Sequence, residues 1–261
     1  MAISYGNQTL GRGEVRFSRL KSGTYIPDGF RYVGNSTSFA ITNAVTNLDH
    51  YSSDHGIREK DKSVPVEVNR SGKFDLDDIQ LDNLALFFFG TSATVSQTSL
   101  VGSGTTETLT AVTPGLSYQL GISSTRPAGV KGIANLVVKV LTATKVAGTD
   151  YVVDTARGIV TVLAGGGIAS GDTLLLTYDL VATSYDQVIS GHVPVTGAIQ
   201  YIADNPEGAN IDYMMRYVRL IPNGDFALKS DNAWQQLPFT VEILRAPGLE
   251  SIYANGQPYT A

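Results

Sequence analysis

The chain has 261 residues, 43% hydrophobic and only 16% charged, with a formal net charge of −5 and no cysteine. That length holds one large β domain or two modest ones, and the apolar content supports a packed core, which excludes global disorder. The acidic balance argues against a nucleic-acid grip, the missing thiols exclude disulfides and thiolate zinc sites, and no run of about 20 apolar residues is present to cross a membrane as a helix. Charged residues fall below the ordinary ~25%, so the polar surface leans on Ser, Thr, Asn and Gly, a habit of β-rich assemblies. The opening MAISYGNQTLGRGEVRF holds no apolar run of signal-peptide length. The protein is therefore expected to stay in the cytoplasm of the cell that makes it.

EVRFSRL (14–20) alternates Val15 and Phe17 with Arg16 and Ser18, the period of a half-buried strand. GFRYVGNSTSFAIT (29–42) carries Phe30, Tyr32, Phe39 and Ile41, broken by a Gly34-Asn35 pair that reads as a turn or bulge. NLDHYSSDHGIREKDKS (47–63) follows, with two histidines, charges of both signs and little apolar content, and reads as a long charged loop. SVPVEVNRSGKFDL (63–76) puts Val64, Val66 and Val68 on one face, and Pro65 marks an edge strand or a strand start. DDIQLDNLALFFFG then spaces Leu81, Leu84, Ala85 and Phe88 at i, i+3, i+4 and i+7, which predicts one helix over 78–89. Asp77, Asp78 and Asp82 sit near its start, and Gly90 suits the C′ position.

From residue 91 the composition turns to Ser, Thr and Gly, like a linker or a long hairpin. Residues 106–184 read as a β module. It has a Pro114-Gly115 turn, one long strand in NLVVKVLTATKV, and three strands between Asp150 and Leu180 with turns at Thr155–Gly158 and Gly165–Gly171. Short strands separated by Gly-rich turns suit a small β-sandwich. Aromatic-rich strands return in TGAIQYIADN (196–205), NIDYMMRYVRLIP (210–222), DFALKS (225–230) and AWQQLPFTVEILRA (233–246), with Trp234 expected to pack at a strand end. Neither flank holds enough strands to be complete. The expected organisation is therefore a discontinuous main domain, 1–95 with 185–261, carrying 96–184 as an insertion.

Chemistry finds little purchase. His50 and His55 lie near Asp49 and Asp54, but i,i+5 spacing in a polar loop shares no face, and His192 is far away in sequence. GGGIASGDT (165–173) nearly has phosphate-loop spacing, yet Asp172 stands where the lysine belongs and a strand pattern follows. No Gly-x-Ser-x-Gly elbow is present. The expectation is a non-enzyme without catalytic residues, cofactor or metal. A charged loop, an N-terminal arm, an inserted β module and a trailing GQPYTA are features of a protein that contacts copies of itself.

The run LDHYSSDHGIREKDKSVPVEVNRSGKFDLDDIQLDNLALFFFGT (48–91) resembles the major tail tube protein of long-tailed, siphovirus-type bacteriophages. In that family a YSSxxGxxxKDxS segment leads into a strand and then an NLALxxxG helix. Here Tyr51, Ser52, Ser53, Gly56, Lys60, Asp61 and Ser63, then Asn83, Leu84, Ala85, Leu86 and Gly90, hold those positions. FTVEILRAPGLE is similar to the family's final strands. The resemblance covers about a sixth of the chain and implies a mainly β fold: a tail-tube β-sandwich or barrel with one flanking α-helix. The insertion is similar to the small Ig-like β-sandwich domains that phage tails display outward.

What the resemblance implies in function is a structural subunit of the virion tail, made and assembled in the host bacterial cytoplasm. Copies form hexameric rings by sheet continuation, and the rings stack into a tube that conducts the genome without specific binding. Partners are further copies of the chain and the tape measure, tail-tip and tail terminator proteins. Residues 43–62 are then expected to reach a neighbouring subunit and the next ring. Leu48, His50, Tyr51, His55 and Ile57 would line that contact, with Arg58, Glu59, Lys60 and Asp61 as ion-pair partners and Phe87 or Phe89 facing a neighbour. Asp204, Glu207 and Asp212 are candidate lumen acids that would repel DNA phosphates. The inner tube of a contractile tail and a decoration or tail-tip adhesin that binds host-surface carbohydrate remain open alternatives.

Overall fold

Apolar alternation folds most of the chain into strands, and a computed structural model describes residues 8–54, 56–255 and 257–258. Among these the protein is mainly β, with eighteen strands and one helix. In chain order they are β1 (Gly13–Arg19), β2 (Arg31–Tyr32), β3 (Ser36–Ser52), β4 (Glu59–Leu76), α1 (Leu81–Phe87), β5 (Thr91–Gln97), β6 (Leu100–Leu109), β7 (Ser117–Gln119), β8 (Ile133–Val140), β9 (Ala143–Thr144), β10 (Tyr151–Asp154), β11 (Ile159–Val162), β12 (Leu174–Leu180), β13 (Thr183–Ile189), β14 (Val195–Ala203), β15 (Tyr213–Pro222), β16 (Leu237–Ile243), β17 (Tyr253–Ala254) and β18 (Gln257–Pro258). The chain gathers into two compact units, Met1–Ser92 with Val188–Ala261, and Ala93–Gln187. Their boundaries fall within β5 and β13, which pair with each other.

The discontinuous unit is built on one sheet in the order β2-β1-β14-β15-β16-β4-β3, antiparallel throughout, with β17 and β18 beside β15. One face carries the core. Val15 lies opposite Tyr201 and Phe17 opposite Ile199, and Phe74 stacks on Phe239 with ring centroids 5.2 Å apart. Phe74, Leu76, Ile199, Met215, Leu220 and Phe239 are buried there, each contributing roughly 1.5–3 kcal/mol by its removal from water.

The helix is shorter than 78–89 and turns a different face inward. Asn83, Ala85, Leu86 and Phe87 are buried, whereas Leu81 and Phe88 are exposed. The sheet selects this face because Phe87 meets Phe239 at 5.8 Å and Phe226 at 6.0 Å. A helix of seven residues has no stability alone, and that packing supplies it. Gly90 is not C′. Phe89 takes the left-handed position (φ 53°), and Gly90 follows at C″, its N–H donating to the Ala85 carbonyl at 2.7 Å in a Schellman closure. Gly90 is required for a different reason: a Cβ there would lie 1.9 Å from the Ile189 carbonyl oxygen.

The unit 93–187 has two sheets, β6-β12-β8-β9 and β10-β11-β7, around its own core of Leu120, Val138, Val160, Val162, Leu174 and Leu176 among others. The segment expected as one long strand, 135–146, is divided by Leu141 (φ 54°) into β8 and β9. The Gly-rich turn is filled from within the unit. The Asp150 carboxylate accepts the Gly167 and Val146 N–H groups at 2.6 and 2.7 Å, and the Asp172 carboxylate accepts that of Ala169 at 2.8 Å. Those two backbone donations hold Asp150 below the usual carboxylate range. Gly167 and Ala169 therefore already have anions of their own.

Candidate functional site

β3 and β4 form the feature that the core does not explain. β16 supports β4 only from Leu76, opposite Leu237, to Arg70, opposite Ile243. Beyond that point, among the described residues, 44–52 and 59–69 pair only with each other. Nine residues at about 3.4 Å each make a ribbon roughly 30 Å long. From Ala40 to Arg70 every described residue is exposed except the half-buried Asp49 and Ser52. What reads as a loop over 47–63 is thus mostly strand, with the turn confined to residues 53–58.

Two register shifts shape the ribbon, one between Thr46 and Asn47 and one between His50 and Tyr51. The first changes which face the valines use. Val68 lies opposite Val45 and Val64 opposite Leu48. Positions 45 and 48 point to opposite faces, so Val64 and Val68 do as well, rather than sharing one face. Both faces are therefore partly apolar. Pro65 sits where β4 has β3 as its only neighbour among the described residues, so no ladder to a third described strand is broken.

Polar contacts hold the outer part. The Asp49 carboxylate accepts the Ser63 hydroxyl at 2.6 Å and pairs with the Lys60 ammonium at 2.9 Å. His50 Nδ1 meets an Asp61 oxygen at 2.6 Å, and the Arg58 guanidinium lies 4.5 Å from the Tyr51 ring centroid. The hydrogen bonds from Ser63 and then Lys60 hold Asp49 below the usual carboxylate range, and that from His50 lowers Asp61. The Asp49 contact raises Lys60. These pairs are open to solvent, so they set the ribbon's shape more than its stability. Leu48, opposite Val64, and Ile57 stay 67% and 77% exposed.

The remaining expected residues scatter. His55 lies outside the described residues, as do the first seven residues and Gly256 and 259–261 of the trailing segment. Phe87 is inside the core, Phe89 is half-buried against it, and Phe88 is the ring that faces solvent. Asp204 and Glu207 are exposed on the turn between β14 and β15. The Asp212 carboxylate is used to brace that turn, accepting the Ala203 N–H at 2.9 Å. Among the described residues no three His, Cys, Asp or Glu side chains gather to hold a metal.

Two features escaped the sequence reading. Residues 225–236 contain no strand, because β16 begins only at Leu237, and Trp234 is 91% exposed rather than packed. Adjoining β15 lies an open groove of about 1040 Å³, walled by Phe39, Ile41, Tyr201, Ile211, Tyr213 and Ile252 with Arg70 and Asn43 among its polar residues. The only early sign of either was two large apolar residues, Leu228 and Trp234, in a stretch otherwise rich in Asp, Asn, Ser and Lys.

Fold and surface together define a mainly β chain whose discontinuous unit extends a ribbon past its own core. The chain belongs to the family described as "Protein of unknown function UCP028589", the match running over residues 8–247. No curated protein matches it.

Proposed function

We propose that this chain is the structural subunit of a phage tail tube, six copies closing into a ring and rings stacking into a conduit for the genome. The observation that carries the reading is the ribbon of β3 and β4. An isolated two-stranded ribbon is marginal in water, and exposed valines, Leu48, Tyr51 and Ile57 on it lose their cost only when another chain covers them. The outer edge of β3, unpaired among the described residues along all seventeen positions, supports the same reading, since ring closure removes such edges. In the assembly residues 43–62 reach the neighbouring copy, with Arg58, Glu59, Lys60 and Asp61 setting register. The turn bearing Asp204 and Glu207 is the candidate lumen acid patch. The unit 93–187 is an Ig-like decoration, and tape measure, tail-tip and terminator proteins bind the tube ends. Electron microscopy and light scattering of the purified chain test this. Rings and tubes are expected, and a chain that stays monomeric at high concentration, with or without a tail initiator, refutes it.

A further inference from the structure

The groove and the Trp234 loop are separate features that both adjoin β15. Tyr213, the first residue of β15, lines the groove, and Pro222, the last, opens the loop that ends at β16. Leu228 and Trp234 stand exposed and neither lines the groove, so the loop does not fill the groove of its own subunit. We propose that the Leu228–Trp234 loop is a preformed knob that seats in the groove of a second copy of this chain, joining subunits head to tail.

The knob is built before it docks. Phe226 anchors its base, 6.0 Å from the Phe87 ring and 6.5 Å from that of Phe88. The Gln235 side-chain amide donates to the Ala227 carbonyl at 2.9 Å, tying together the limbs that carry Leu228 and Trp234. The Ser230 hydroxyl donates to the Ala233 carbonyl, and the Asn223 N–H to that of Pro238 at 3.0 Å. With the limbs held, Trp234 at 91% and Leu228 at 80% exposure project at little further entropic cost, the condition for a binding anchor.

The groove offers the matching surface. Its walls are aromatic and aliphatic; Glu250 on its lining is taken up by Arg245, and Arg70 has no ion-pair partner among the described residues, while the knob carries Asp231 beside Lys229 and Asp225 just before it. The inner face of the ribbon continues that wall. Phe39, Ile41, Asn43 and Val45 succeed one another on one side of β3, facing Phe74, Gly72, Arg70 and Val68 of β4. A copy seated on the groove would therefore also be flanked by the ribbon. Such a contact uses two different patches of the same chain and leaves one of each free at the ends, and it propagates along an axis where its rotation does not close a ring.

This inference rests on the tube reading and supplies its axial contact. Trp234 is the chain's single tryptophan, so intrinsic fluorescence reports directly on the knob. In wild-type tubes its emission is expected to move from the wavelength of an exposed indole to that of a buried one. Trp234→Ala should leave hexameric rings intact and raise the concentration needed for tubes at least about tenfold. Ile41→Asp and Ile211→Asp should block tubes with the Trp234 emission unshifted, the second variant guarding against a folding defect in the first. Tubes with unshifted wild-type emission, or a Trp234→Ala chain that stacks at the wild-type concentration, overturn the knob contact and leave the tube reading standing. A groove filled by the chain's own first seven residues would show that pattern too, with Ile41→Asp lowering the melting temperature of the isolated subunit. A wild-type chain that forms neither rings nor tubes overturns both.

Discussion

Replacing Leu48 by Ser separates assembly from folding. Leu48 is 67% exposed on the ribbon, outside the core of either unit. Full burial of a leucine side chain is worth roughly 1.5–3 kcal/mol. Two thirds of that, about 1–2 kcal/mol, is still to be gained when a neighbouring chain covers the ribbon. At 1.4 kcal/mol per factor of ten, each lost contact raises the concentration for assembly about 5- to 30-fold. Within the subunit the substitution removes only the cross-strand contact with Val64, worth about 0.2–1 kcal/mol locally. The melting temperature should therefore move by no more than about 4 °C. Sedimentation across a concentration series measures the first quantity and calorimetry of the dilute subunit the second. An unchanged assembly concentration would refute the argument, and so would a melting temperature lowered by more than about 5 °C, which would place Leu48 in the stability of the subunit itself.

Asn83→Ala strips the donor that reaches the Val33 and Asp78 carbonyls at 2.6 and 3.0 Å. A cost of about 2 kcal/mol, roughly 4–8 °C in melting temperature, is expected, and a neutral result would mean that water replaces the amide. Gly90→Ala drives a Cβ into the Ile189 carbonyl and should cost about 3 kcal/mol; wild-type urea unfolding would contradict the close approach. The pH dependence of the ribbon follows from Asp49 and Asp61, both lowered from the ordinary value of 3.8. A lowered folded-state pKa stabilises above the unfolded value and is lost as pH falls through the folded one. Amide protection over 59–63 should hold at pH 5 and decline below about pH 4, and protection that rises on acidification would reverse the sign. Residues 93–187 expressed alone should melt cooperatively around their own core, and a chain without near-ultraviolet dichroism would show that this unit needs the rest.

Where one face of a strand is buried, the order of residues was enough. LPFTVEI within AWQQLPFTVEILRA alternates along its whole length because the sheet face toward the core accepts every second side chain, and EVRFSRL, TGAIQYIADN and YMMRYVRLIP each lie at or near a strand of the structure. The Gly34-Asn35 break between β2 and β3 was legible for a similar reason, since Gly34 has φ 91° and such a position favours glycine. The ribbon was not legible. Residues 47–63 have water on both faces, so no alternation is imposed, and polar strand looks like polar loop.

The sequence alone determined that the chain is mainly β, that one helix follows residue 77, and that no thiol takes part. These depend on composition and on neighbours one to four positions apart. Only the tertiary structure decided which helical face is buried, that Phe89 and not Gly90 turns left-handed, that a register shift sends Val64 and Val68 to opposite faces, and that Trp234 stands in solvent instead of packing at a strand end. Each of these is set by a partner distant in the chain, Phe239 for Phe87, Ile189 for Gly90, Val45 for Val68, and such a partner leaves no periodic trace in the residues beside it.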